Sequence, residues 1–173
     1  MKTQELLDVM RVQRHDFLNH LQVISGFLQL NKSDRAKEYI DQISSDIRAQ
    51  SVIARLEVPE LKAVLMVAVN DATKYQVEFT YDINTRLENC SVPGESLAEP
   101  VGKCIKLAMD YLSHRELENR QLYLSITEED GIIFRIGLPG LSLDVMKEIK
   151  NKLPEQDIEV VPERSELYFI VSR

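Results

Sequence analysis

One stretch near the N-terminus decides how this sequence is interpreted: residues 14–26 are RHDFLNHLQVISG. Around it, positions recur with the alternating three- and four-residue spacing of a heptad seam. The seam positions are Leu7, Met10, Arg14, Phe17, Leu21, Ile24 and Leu28. This periodicity predicts an amphipathic helix of roughly 28 residues, which would be about 42 Å long.

A second helix is predicted after the polar segment 31–34. Ser33 is its expected N-cap, and Pro59 ends the region. Its seam positions are Ala36, Ile40, Ile43, Ile47, Gln50 and Ala54. The short connection predicts an antiparallel helical hairpin over residues 1–58. Because two helices cannot cover their own apolar stripe, we predict a homodimer in which two hairpins form a four-helix bundle.

His15 follows the seam position Arg14 by one residue, so its side chain is expected on the outer face of the first helix. Asn19, at i+4, and Gln22, at i+7, lie on the same face. A solvated imidazole is largely neutral above pH 7, and its neutral nitrogen is a competent nucleophile toward phosphorus. The alternative is an ordinary surface histidine. His20 points away around the helix and is expected to flank the dimer seam.

The same stretch resembles the phosphoacceptor helix of the Spo0B-type histidine kinases and phosphotransferases. That helix has the pattern Arg-His-Asp-x-x-Asn-x-Leu-Gln-x-Ile-x-Gly-x-Leu. This sequence meets the pattern at Arg14, His15, Asp16, Asn19, Leu21, Gln22, Ile24, Gly26 and Leu28. The resemblance implies that His15 is the phosphoacceptor.

Roles for the neighbours of His15 are hypotheses, each with a plainer alternative. Arg14 places positive charge near the phosphoryl oxygens, or is a seam-edge residue whose head reaches water. Asp16 orients the imidazole or contacts the partner, or is a solvated carboxylate. Asn19 lies beside the phosphoryl group, or is an exposed amide. Gln22 is a weaker candidate for contact with a receiver domain.

Residues 59–173 are predicted to form a small α/β domain, which makes the chain α+β. Helices are expected over 61–74, 98–113 and 143–153, the last capped by Ser142, and strands over 77–83, 121–127, 132–138, 158–161 and 167–171. This order resembles the ATP-binding domain of histidine kinases in a reduced, degenerate form.

The residues that bind the nucleotide in that domain are replaced here. Lys103 and Leu107 occupy the positions of two family asparagines, and Ile136 replaces the acid that accepts from adenine. Of the motif after that strand only Pro139 and Gly140 remain, and the later glycine-rich lid is missing. We therefore expect no ATP-dependent kinase activity and no cofactor on this chain; magnesium is expected in a partner receiver domain.

The resemblance implies a phosphorelay phosphotransferase of sporulation initiation. In this interpretation His15 takes a phosphoryl group from the aspartyl phosphate of one response regulator and passes it to the aspartate of a second. Two alternatives remain open: a regulatory module that docks receivers without chemistry, and a truncated sensor histidine kinase.

Composition agrees with this interpretation. The net charge of -7, without a concentrated basic patch, argues against nucleic-acid binding. No signal peptide or transmembrane run is recognisable, so a cytoplasmic protein without membrane contact is expected.

No His, Cys or acidic cluster has metal-ligand spacing. Cys90 and Cys104 are too few for a disulfide framework, so reduced thiols are expected.

Overall fold

A computed structural model of the chain describes residues 3–114, 117 and 119–172. The chain divides into two compact units, Met1–Arg55 and Leu56–Arg173. The first unit is all helical, and the second combines helices with one mixed sheet. The predicted α+β class is confirmed.

The helical unit is a hairpin of α1 (Thr3–Gln29) and α2 (Ser33–Ala54). In the turn between them Asn31 has a φ of 53°, a left-handed conformation in which asparagine is enriched. The backbone N–H of Lys32 donates to the carbonyl of Phe27 over 2.9 Å, which closes the end of α1. The predicted N-cap was wrong: Ser33 is already helical and Lys32 occupies the cap position, without a side-chain cap bond.

The two helices of the hairpin meet through a small set of side chains. Tyr39 of α2 contacts the rings of His20 and Phe27 of α1, at centroid distances of 5.8 and 6.1 Å. Ala36 is buried, whereas much of the predicted seam is exposed. The most exposed apolar side chains of α1 are Leu7, Met10, Phe17, Leu18, Leu21 and Leu28, each between 47% and 59% exposed.

The α/β unit contains three α-helices and five strands among its described residues. The helices are α3 (Pro59–Tyr75), α4 (Gly94–Leu112) and α5 (Leu143–Asn151). The strands are β1 (Glu78–Ile83), β2 (Gln121–Glu128), β3 (Gly131–Gly137), β4 (Glu159–Val161) and β5 (Glu166–Ser172), with a short 3-10 helix over Pro162–Arg164. Every helix and strand that the sequence predicted in this region is present, with ends that differ by a few residues.

The strand order of the sheet is β1-β2-β3-β5-β4. β1 and β2 are parallel and are connected through α4, whereas the other neighbouring strands are antiparallel. Phe134, in the central strand, is fully buried and its ring stacks on that of Phe169, with centroids 5.1 Å apart. Helix α3 packs on α4 and β1, and α5 packs on α4, β4 and β5. The unit therefore encloses its own core.

Two local features hold α5 in place. The hydroxyl of Ser142 accepts a hydrogen bond from the backbone N–H of Val145, which confirms Ser142 as the N-cap. Just before it, Gly140 lies so close to Asn119 that an added Cβ would be 1.9 Å from that residue's carbonyl oxygen. Only glycine fits this approach of two backbone segments.

Candidate functional site

His15 lies near the middle of α1 and projects into solvent, with 73% of its side chain exposed. The helix is unbroken through this region, which is what the heptad spacing predicts. Because His15 lies within a continuous helix, its backbone has a defined place on the hairpin surface while most of its side chain is accessible. An exposed nucleophile on a rigid element suits a reaction with a group that a second protein presents.

Both side-chain contacts that the structure gives His15 are at Nδ1. The amide nitrogen of Asn19 is 3.1 Å from Nδ1, and a carboxylate oxygen of Asp16 is 3.5 Å from it. The half-exposed Asp16 and the exposed Asn19 therefore flank one edge of the ring. Two of the predicted neighbours are thus brought to His15, and they leave Nε2 on the other edge.

The structure gives no contact between the imidazole and either of the two remaining predicted residues, both of which lie in the described part of α1. Arg14 is exposed, but it precedes His15 directly and is rotated by about 100° around the helix. Gln22 shares the His15 face two turns further along. It lines a shallow surface cavity of about 430 Å³ together with Leu18, Leu21, Ser25, Gly26 and Gln29.

Gly26 is one of the residues that line this cavity. A Cβ added at Gly26 would have no atom within 4 Å, so nothing within the described chain requires glycine there. The glycine instead leaves an indentation on the exposed surface of α1, beside the aliphatic side chains of Leu18 and Leu21.

His20 lies between the two helices of the hairpin. Its Nδ1 is 3.0 Å from the hydroxyl oxygen of Tyr39, in a partly buried contact between α1 and α2. The ring of His20 therefore faces α2 within the same hairpin; that His20 also flanks the dimer seam stays a prediction. Tyr39 gave no sequence signal for this contact, since the pairing depends on how the helices align.

Arg11 is a further exposed side chain of the His15 face. It lies four positions before His15, on the same helical face. This i−4 spacing is the sequence signal that would have identified Arg11 as a neighbour of His15.

In the α/β unit, the residues at the family's nucleotide-binding positions make other contacts. The ammonium of Lys103 is 2.8 Å from a carboxylate oxygen of Glu99 and 3.9 Å from one of Glu155. The hydrogen bond to Glu99 raises the pKa of Lys103 and lowers that of Glu99. Ile136 is fully buried and Leu107 is half-buried. None of these three side chains offers an oxygen to a metal ion or to adenine.

Two further properties concern the described residues as a whole. They contain no group of three or more His, Cys, Asp or Glu side chains arranged to hold a metal ion. None of the helices in the described part of the chain is long and apolar enough to cross a membrane.

Comparison with known proteins gives three main findings. Residues 1–56 match the family model of the SpoOB-type sensor-kinase alpha-helical domain. Sporulation initiation phosphotransferase B of Bacillus subtilis is 32% identical over 117 residues, which are 68% of this chain and 59% of that protein. The sensor protein CitS of Halalkalibacterium halodurans is 31% identical over 150 residues, 82% of this chain and 28% of that protein.

A third relative, a probable C4-dicarboxylate sensor kinase from Halalkalibacterium halodurans, is 23% identical over 154 residues, which are 87% of this chain. The chain spans between 28% and 59% of the length of these relatives. The hairpin with its outward histidine and these matches place the chain among the histidine-kinase-related proteins of two-component signalling. More narrowly, the match over residues 1–56 and the 32% identity to the Bacillus subtilis phosphotransferase relate the chain to the Spo0B-type proteins.

Proposed function

We propose that this protein is a phosphorelay phosphotransferase, in which His15 carries a phosphoryl group from the aspartyl phosphate of one response-regulator receiver domain to the aspartate of another. The observation that carries the proposal is the exposed imidazole of His15, whose contacts are both at Nδ1. We propose that the relay belongs to sporulation initiation because sporulation initiation phosphotransferase B of Bacillus subtilis is 32% identical to the chain over 117 residues.

The contacts at Nδ1 support Nε2 as the nucleophile. A carboxylate only accepts hydrogen bonds, so the contact with Asp16 calls for a proton on Nδ1. The amide nitrogen of Asn19, as placed at 3.1 Å, would donate to an unprotonated Nδ1, so Asn19 serves the proposed tautomer only with its amide flipped, when its oxygen accepts the Nδ1 proton. We propose this tautomer, in which Nε2 keeps its lone pair and faces solvent. Asp16 and Asn19 are then positioning residues that hold the ring.

The transfer balances without any further reactant. The Nε2 lone pair forms a bond to phosphorus while the bond from phosphorus to the aspartyl oxygen breaks, and the carboxylate leaves with that electron pair. The ring, which keeps its proton on Nδ1, becomes a phosphorylated imidazolium. In the second half-reaction a carboxylate oxygen of the second receiver attacks phosphorus, and the electron pair of the N–P bond returns to Nε2.

Phosphoryl transfer has a loose transition state, so positioning and charge compensation contribute more than acid–base catalysis. We propose that the partner receiver holds the magnesium ion that compensates charge, and that Gln22 contacts that receiver beside the surface cavity at Gly26. Arg14 remains a candidate for charge compensation.

A relay is favoured over a sensor kinase by the α/β unit. Lys103 is engaged with Glu99, and Ile136 is buried among apolar side chains of the core. Binding of ATP would need an acceptor for adenine and oxygen ligands for magnesium at these positions. We therefore propose that the α/β unit has no ATP-dependent kinase activity.

We further propose that the protein is a homodimer. The apolar side chains of α1 that the hairpin leaves exposed form one stripe, and a second copy would cover it in a four-helix bundle. Phe17→Glu, at a residue 58% exposed, should convert the dimer to a monomer in light scattering at micromolar concentration. Ile170→Glu is the matched control on the α/β unit, at 49% exposure, and should leave the mass unchanged. A monomeric wild-type protein would refute this part.

The relay is tested by transfer of labelled phosphate. The protein is incubated with magnesium and labelled ATP alone, and separately with a labelled, prephosphorylated single-domain receiver. We expect label only in the second reaction, its loss in His15→Gln, and its passage to a second receiver. His114→Gln, which removes another exposed histidine, is the matched control and should keep the label.

Other outcomes identify other functions. Label from ATP alone would show a kinase and overturn the interpretation of Lys103 and Ile136. Absence of label in both reactions would leave a receiver-docking module without chemistry. Label that persists in His15→Gln would refute the assignment of the phosphoacceptor.

A further inference from the structure

Arg11 and His15 share one face of α1. Helix α1 is continuous from Thr3 to Gln29, and the side chains of Arg11 and His15 are both exposed. Four residues of an α-helix correspond to a rotation of about 40° and a rise of about 6 Å. The two Cβ atoms are therefore neighbours about 6 Å apart, close enough for the long arginine side chain to reach a group bonded to the imidazole.

Arg14 is placed less well for this role. As the residue directly before His15, it is rotated by about 100° around the helix, away from the His15 face. It occupies a seam position between Met10 and Phe17, whose exposed side chains belong to the stripe assigned to the dimer. Of the two arginines near His15, the one with the shared face is Arg11.

The orientation of the imidazole also favours Arg11. Side chains in an α-helix lean toward its N-terminus, so the His15 ring covers the turn that contains Arg11. Asn19 reaches Nδ1 from the C-terminal side, at 3.1 Å. Nδ1 and Nε2 lie on opposite sides of the long axis of the ring, so the edge with Nε2 is turned toward the N-terminal side. A phosphoryl group on Nε2 would then stand over the Arg11 turn.

We propose that Arg11 binds the phosphoryl oxygens of phosphorylated His15. This inference rests on the proposed function, because it requires His15 to be the phosphoacceptor. The guanidinium fork donates two parallel hydrogen bonds to two phosphoryl oxygens, and its charge offsets theirs during the transfer. Asn19 thus contacts Nδ1 on one edge of the imidazole, and Arg11 binds the phosphoryl group on Nε2 at the other edge.

The test uses the full-length protein in four forms: wild type, Arg11→Gln, Arg11→Lys and Arg35→Gln. Arg35 is an exposed arginine of the same hairpin, 3.5 Å from Glu38, and its replacement changes the net charge by the same amount. Each form is phosphorylated with phosphoramidate, a small donor that needs no docking surface, and in parallel with a prephosphorylated receiver. Helical circular dichroism checks that every form is folded.

Two readouts are measured. The first is the phosphorus-31 NMR titration of the phosphohistidine, which reports charge next to the phosphoryl group and does not respond to a purely structural role. Arg11→Gln should raise the pKa of the phosphoryl group, whereas Arg35→Gln should not. The second is the rate of labelling, which should fall about tenfold in Arg11→Gln with both donors, the factor for about 1.4 kcal/mol of activation free energy. Arg11→Lys should recover part of both effects, because it restores the charge but not the fork.

Two results would overturn the inference. One is an Arg11→Gln protein whose titration and rates equal those of Arg35→Gln. The other is slower labelling from the receiver alone with an unchanged titration, which would make Arg11 a receiver contact. Failure of the proposed function is a separate result, since it would appear in the wild-type protein as absence of label at His15 from the receiver.

Discussion

The hairpin and the α/β unit treat their apolar residues in opposite ways. Among the described residues, eleven of the thirteen exposed large apolar side chains lie between Leu7 and Ile47 of the hairpin, and only Tyr75 and Ile170 lie in the α/β unit. The α/β unit buries its apolar side chains in one core between helices and sheet. This difference indicates that the α/β unit covers its own apolar side chains as a single copy, whereas the hairpin leaves an apolar surface available to another protein surface.

Charge separates the two units as well. Residues 1–55 contain eight Lys or Arg and seven Asp or Glu, whereas residues 56–173 contain 13 and 21. The hairpin region therefore has a net charge of +1 and the α/β region one of -8, so all of the net negative charge belongs to the α/β unit. The phosphorylation site of a receiver domain is acidic, so a nearly neutral hairpin repels it less than the acidic α/β unit does. This charge distribution agrees with the proposed approach of receivers to His15.

The largest effect is expected from truncating the α/β core. Phe134→Ala removes a fully buried ring that stacks on Phe169, and should cost about 3–5 kcal/mol of unfolding free energy. Phe17→Ala, at a 58% exposed position of the hairpin, should leave the stability of the α/β unit unchanged.

Urea unfolding can separate the two units in this pair of variants. Five of the six tyrosines lie in the α/β unit and the chain has no tryptophan, so tyrosine fluorescence reports mainly that unit. Circular dichroism at 222 nm reports the helices of both. An equal loss of stability in both variants would mean that the hairpin packs as tightly as the sheet core, and the comparison between units would fail.

Two glycines should respond in opposite directions. Gly140→Ala should destabilise the α/β unit by about 1–3 kcal/mol, because the new Cβ would overlap the backbone carbonyl of Asn119. Gly26→Ala should stabilise α1 by about 1 kcal/mol, because alanine is the better helix former and meets no atom there. Thermal unfolding measures both. Destabilisation of the hairpin by Gly26→Ala would show that the indentation is covered by another surface.

Loss of the α5 cap should have a smaller effect. Ser142→Ala removes the acceptor for the backbone N–H of Val145 and should cost about 0.5–1 kcal/mol, because the cap is exposed and water replaces it. Ser142→Asp, which preserves the acceptor, is the control and should retain wild-type stability in urea unfolding. An unchanged free energy in Ser142→Ala would show that this bond contributes nothing to the α/β unit.

A further effect appears only at alkaline pH. Burial raises the pKa of the Cys104 thiol to about 12. Below the ordinary thiol pKa both folded and unfolded states are neutral; above it only the unfolded state ionises, so stability should fall as pH rises from about 9 toward 12. Cys104→Ala should lessen the fall of the unfolding free energy with pH between pH 8 and pH 10, as measured by urea unfolding.

In the native protein the half-buried Cys90 should react with a thiol reagent before the buried Cys104.

Local patterns explain why so many elements were predictable. The 3.6-residue and two-residue periods of apolar residues, together with the composition of residues 61–74, located the five α-helices and the five strands of the described chain. The position of His15 on the outer face followed from the same helical count. Ser142 was predictable as a cap because a serine stood directly before a periodic apolar run.

Features that depend on distant residues were not predictable in this way. The parallel pairing of β1 with β2 joins strands that are separated in sequence by α4. His20 faces Tyr39 because of how the two helices align, which no count along one helix gives. Ser33 failed as a cap because the turn placed Lys32 at that position.

The amino-acid sequence by itself determined the helices and strands, the division into a hairpin and an α/β region, and the place of His15 on an exposed face, since these follow from short-range periodicity and steric preference. Only the tertiary structure decided which side chain His20 faces, which strands pair, and which apolar residues remain uncovered. Those properties depend on the distances between side chains that the fold brings together, and such distances are set by packing of the whole unit rather than by any one segment.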